Sequence, residues 1–186
     1  GLLAALGGYS LETSAQVRLW GTYYGGSEND FGNKIATDNA GNVYVVGVTS
    51  SSNGIVTPDG FDSIKSNSVV RSGYLAKFDT NGTLVWATYY GDGAKAAQLK
   101  DVGIDGNGNV YVLGDVECTV TGLASQGAFQ GQCKGSRDLY LAKFNPQGQR
   151  IWGTYLGGSG NERAGGLSVL ANGNVYLIAD TTSAQG

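Results

Sequence analysis

The phrase Trp20-Gly21-Thr22-Tyr23-Tyr24-Gly25-Gly26 returns as Trp86-Ala87-Thr88-Tyr89-Tyr90-Gly91-Asp92 and again as Trp152-Gly153-Thr154-Tyr155-Leu156-Gly157-Gly158, at a step of 66 residues both times. A long, constant period marks one supersecondary unit copied several times, each copy burying its face against the next. Residues that recur are expected to be scaffold. Function is expected where the copies differ.

Each copy contains four short runs rich in β-branched and aromatic residues, which read as strands a to d. Strand a is expected at 34–38, 101–105 and 166–170, and strand b at 42–47, 109–114 and 174–179. Strand c is expected at 74–78 and 140–144, and strand d at 83–89 and 149–155. The a–b links Asn39-Ala40-Gly41, Gly106-Asn107-Gly108 and Ala171-Asn172-Gly173 are tight hairpin turns. So are the c–d links Thr80-Asn81-Gly82 and Pro146-Gln147-Gly148. Asn and Gly tolerate the positive φ that such turns require. No stretch carries a helical period. Four antiparallel strands per copy describe a β-propeller blade. The period exceeds that of familiar propeller repeats because of long b–c connections, Thr49 to Gly73 and Asp115 to Leu139.

Trp-Gly-Thr-Tyr-Tyr-Gly-Gly, Asp-x-x-Gly-Asn-Val-Tyr-Val-x-Gly, Thr57 to Phe61 (or Gln126 to Gln130) and Tyr-Leu-Ala-Lys-Phe-Asp resemble in combination the SBBP repeat, a bacterial β-propeller repeat. The resemblance runs from about Val17 to Thr182. It implies a large secreted or surface-attached protein and supplies no catalytic residues. Two departures stand out. Leu170 replaces the Asp38 and Asp105 of the other a–b turns, and Tyr9-Ser10-Leu11-Glu12 is a poor copy of strand c.

The 186 residues therefore read as one all-β propeller segment: c–d in 1–24, whole blades in 33–90 and 99–156, and a–b in 165–182. That is three four-stranded blades, a partial ring or half of a six-bladed one. Another copy, or the rest of a longer chain, is expected to complete it, because open edges invite aggregation. With neither Met nor His, the sequence reads as a processed chain or a slice of a longer polypeptide. Gly1 to Gly8 lacks a basic region and is short for a signal peptide.

Trp20, Trp86 and Trp152 are expected in blade-to-blade packing, as are Tyr23, Tyr89 and Tyr155 and Tyr44, Tyr111 and Tyr176. Cys118 and Cys133, the only cysteines, share the second b–c loop and are expected to form a disulfide, which implies an oxidising compartment. Asp38–Asn42 and Asp105–Asn109 look faintly like calcium loops, but they run straight into strand b, so an Asp capping a turn is the better account. The polar d–a loops offer candidate ligand contacts in Glu28, Asn29, Asp30, Asn161, Glu162 and Arg163.

A net charge of −3 without a basic cluster argues against nucleic acid, and no apolar run is long enough for a membrane span. The absence of His removes Ser-His-Asp and Cys-His chemistry. No phosphate-binding loop occurs, and no cofactor or metal is called for. The expected function is a non-enzymatic scaffold or adhesion module acting by protein–protein contact. A glycan-binding propeller is the alternative, and a carboxylate-based extracellular enzyme the third reading.

Overall fold

The computed structural model describes residues 2–7, 17–65, 71–91 and 97–184. Twelve strands follow one another: β1 (Leu2–Gly7), β2 (Val17–Tyr23), β3 (Asp30–Thr37), β4 (Val43–Thr49), β5 (Ser72–Phe78), β6 (Leu84–Tyr90), β7 (Ala97–Ile104), β8 (Val110–Glu117), β9 (Arg137–Phe144), β10 (Arg150–Leu156), β11 (Glu162–Val169) and β12 (Val175–Thr181). There is no helix among the described residues. β3–β6 and β7–β10 form two four-stranded antiparallel meanders, while β1–β2 and β11–β12 form two-stranded sheets.

The sheets stack in series. β7 packs on β3, β4 and β5, and β11 packs on β7, β8 and β9. Leu3, Trp20 and Tyr24 pack against the core of the β3–β6 sheet. The largest apolar cluster lies between the two complete sheets, where Tyr44, Leu75, Trp86 and Tyr90 meet Leu99, Val102, Tyr140 and Phe144. Sealed between neighbours, β8 is buried at every position but its last. Its near-continuous Val-Tyr-Val-Leu run reflects burial on both faces.

Repeated local chemistry fixes the joints. Trp86 lies over the next sheet's turn at Gly148, where an added Cβ would come within 2.7 Å of the indole, and Trp20 lies over Gly82 in the same way. Gly148 has φ +84°, so glycine satisfies both the turn and the close approach. The indole N–H of Trp86 donates to the Pro146 carbonyl at 3.0 Å.

The first strands start about four residues earlier than the sequence suggests. Each contains an irregularity at the same place, at Asn33, Lys100 and Gly165. A bulge puts two residues opposite one and breaks the alternation by which strands are read. Residues at and beside the bulges also join the sheets: Asn33 Nδ2 donates to the Leu99 carbonyl at 2.6 Å, and Asp101 Oδ2, next to the bulge at Lys100, accepts from the Leu167 N–H at 2.8 Å. Strand c of the first sheet also differs from expectation. Tyr9 to Glu12 lie outside the described residues, and Leu2–Gly7 pairs with β2 instead.

Candidate functional site

The hairpin turns after the first and third strands occupy one face of the stack, and their side chains are spent on the turns. Asp38 Oδ1 accepts the N–H groups of Ala40 and Asn42, and Oδ2 accepts Asn42 Nδ2 and Tyr44 Oη. Asp105 repeats this with Asn107, Asn109 and Tyr111, and adds Lys143 Nζ at 3.5 Å. These are turn caps, as the sequence favoured. Burial alone raises both acids, but the donated hydrogen bonds outweigh it and hold them below the ordinary aspartate range. A depressed folded value gives stability above the unfolded-state value of about 4 that is lost as pH falls through the folded one. Asp105→Asn is therefore expected to lower stability at neutral pH and to flatten the acid-side fall. Unfolding midpoints measured from pH 7 to pH 2 check this.

The other face carries the d–a and b–c loops, the segments that differ between copies. Asp30 accepts from the Gly26 N–H at 2.7 Å and from the hydroxyls of Thr49 and Ser51. Glu162 accepts from the Gly158 N–H at 3.2 Å and from the hydroxyls of Thr181 and Ser183. The acid thus clamps its own d–a loop to the start of its b–c loop. Burial raises Glu162, yet the bonds from Ser183, Thr181 and Gly158 leave it below the usual glutamate range. No local pattern in the sequence marks this clamp. Its signal was an acid followed by Thr and Ser at 19 and 21 residues, in both Asp30-Thr49-Ser51 and Glu162-Thr181-Ser183.

In the middle sheet the equivalent positions are Ala97, Val116 and Cys118, so the clamp is gone. A disulfide replaces it: Cys118 and Cys133 are bonded, closing a loop with a sequence separation of 15. Asp138, fully buried beneath that loop, accepts from Gln130 Nε2 at 2.9 Å and from the N–H groups of Lys134 and Gly135 at 2.9 and 3.2 Å. Reduction is expected to cost up to about 3 kcal/mol in the chain-entropy account. Its effect should be confined to residues 118–136. Amide exchange before and after reduction should show faster exchange there, with β7–β10 unchanged.

Beside the disulfide loop opens a cleft of about 770 Å³, lined by Phe129, Gln130, Lys134, Leu156, Glu162 and Ser183 among others. Among the described residues one cluster has the composition of a metal site, Cys118, Cys133 and Asp138, but its sulfurs are bonded to each other.

The sequence-predicted residues are dispersed. Asp30, Glu162 and Arg163 lie in strands rather than in the d–a loops, and Glu162 is buried. Glu28, Asn29 and Asn161 are exposed. Trp86, Tyr44, Tyr89, Tyr111 and Tyr155 are buried, whereas Trp20 and Trp152 are half-buried. Tyr176 is exposed because β12 lacks the third strand that pairs with the strands of Tyr44 and Tyr111, and Tyr23 is exposed where Tyr89 and Tyr155 are held by their b–c loops through the Ser51 and Val120 carbonyls.

The SBBP family, a beta-propeller repeat, matches residues 19–55 and 85–115. Both segments run from the Trp-containing last strand of one sheet, β2 or β6, into the first two strands of the next. No curated protein matches the chain.

Proposed function

We propose that this chain, which carries SBBP beta-propeller repeats, is an extracellular, non-enzymatic scaffold that binds a protein partner through its d–a and b–c loop face. The observation that carries this reading is the way the copies diverge. Strands and turns are repeated with their hydrogen bonds, while the middle b–c loop trades the acid clamp for a disulfide. A rigid repeat carrying one covalently braced, divergent loop is a form suited to recognition. The loop exposes Gln126, Gln132 and Lys134, polar groups suited to a protein surface. The disulfide supports an oxidising, extracellular setting. Asp30, Asp138 and Glu162 are engaged by their own loops, which favours a structural use of these acids.

Protein and glycan arrays probed with the same labelled chain test the reading. Binding to protein spots that falls at least tenfold in a Gln126→Ala/Gln132→Ala/Lys134→Ala variant supports it. Binding confined to glycans overturns it, as does polysaccharide hydrolysis abolished by an Asp or Glu substitution.

A further inference from the structure

We propose that β12 pairs antiparallel with β1 of a second copy of this chain. β11–β12 and that copy's β1–β2 then form one four-stranded sheet, and two such seams join two chains into a ring of six sheets.

The two-stranded sheets are complementary halves of the repeated unit. β11–β12 keeps the register and bulge of β3–β4 and β7–β8. β1–β2 keeps the register of β5–β6 and β9–β10, including the same irregularity. Ala5 pairs with Trp20 and Leu6 with Arg18, as Lys77 pairs with Trp86 and Phe78 with Leu84. In the complete sheets the second strand pairs the third through Gly47 with Tyr74 and Tyr44 with Lys77, and through Gly114 with Tyr140 and Tyr111 with Lys143. Carried to the seam, this register sets Ala179 opposite Leu2 of the second copy and Tyr176 opposite its Ala5.

Changes on the two halves match one another, which singles out a second copy as the occupant. A Cβ on Gly114 would collide with the Gln98 carbonyl of its own sheet's first strand and stand 2.7 Å from the Tyr140 ring, and one on Gly47 would collide with the Phe31 carbonyl and stand 2.8 Å from Tyr74. Strand β12 carries Ala179 at the glycine position, and β1 carries the slimmer Leu2 at the tyrosine position. Asp105 pairs with Lys143 at 3.5 Å. At the seam the acid has become Leu170 and the lysine Ala5, so neither charge is left alone. Tyr90 stacks on Tyr140 at 5.1 Å across the joint between complete sheets. The corresponding residues are Leu156 and Leu2, both changed together.

Charge placement agrees. Phe61, on the first b–c loop, lies 6.0 Å from Phe144 with the Arg150 guanidinium 4.6 Å over its ring. Its counterpart Phe129 is 88% exposed. The position of Arg150 is held in β2 by Arg18, so the seam brings a cation to Phe129. The same seam covers Tyr176, now 59% exposed where Tyr44 and Tyr111 are buried. Closure by two identical chains is the commonest symmetric solution, and six sheets fall within the range of closed propellers.

The test mixes two variants of the chain, Ala5→Cys and Tyr176→Cys, under mild oxidation. The native cysteines are already bonded to each other. A disulfide joining the two variants is expected in about half of the two-chain particles, the share in which unlike variants meet by random assembly. The register-shifted mixture of Leu3→Cys with Tyr176→Cys should cross-link at least tenfold less. Native mass measurement of the unsubstituted chain should give two chains per particle, and Arg18→Glu should weaken that association at least tenfold. A stable particle at the mass of one chain overturns the proposal. So does a dimer that cross-links through Ala5 alone, the sign of two β1 edges meeting.

Discussion

Trp86→Ala is expected to destabilise the protein by about 3–5 kcal/mol, the range for truncating a buried large aromatic. The side chain is 4% exposed and meets Tyr44 edge-on at 6.2 Å. Removing its N–H leaves the half-buried Pro146 carbonyl short of one donor. Lys77 Nζ, 3.2 Å from the same oxygen, limits that part of the loss. The remaining cost is a cavity against Gly148, a position that cannot move in to fill it because its turn is fixed at φ +84°. Trp152→Ala, at a half-buried site flanked by the two-stranded β11–β12 sheet rather than a four-stranded one, should cost distinctly less. Urea unfolding of the two variants side by side checks the ranking. Equal costs would mean that packing between sheets is not what the recurring tryptophan supplies.

The 66-residue step made the sheets and turns legible because repetition removes the ambiguity of any single short run. Asn42–Gly47 alone could be read several ways, but three copies, each after an Asn-Gly or Ala-Gly turn, could not. The bulges at Asn33, Lys100 and Gly165 were not legible, since an extra residue shifts the alternation and leaves no compositional trace. They hide where the first strands begin: by sequence Asp30 and Glu162 read as loop residues, yet they open β3 and β11. The clamps at those two acids depend on contacts over 19 and 21 residues, invisible to local pattern but recoverable by comparing spacings between copies. The exposure of Tyr176 has a different source. Identical residues were given identical burial, and only the topology reveals that two of the sheets have two strands.

Asp138→Ala is expected to approach the core tryptophan substitution in damage, at about 3–5 kcal/mol, because it strips the acceptor from three donors at once at about 1–3 kcal/mol each. Asp138 is fully buried, and its carboxylate is the acceptor for two successive backbone N–H groups, Lys134 and Gly135, and for the Gln130 amide. Alanine would leave those donors without their acceptor. Donors left without an acceptor cost up to about 1–3 kcal/mol each, less where water reaches them, as it does at the exposed Lys134. The disulfide would hold Cys118 to Cys133 but not position the residues between, so loop closure and loop shape should separate in experiment. Asp138→Asn keeps an acceptor oxygen and should recover a substantial part of the loss. Thermal unfolding combined with limited proteolysis checks this. In Asp138→Ala, cleavage within residues 119–136 should speed up with the disulfide still oxidised, whereas a loop as resistant as in the unsubstituted protein would show that the covalent bond alone sets its shape.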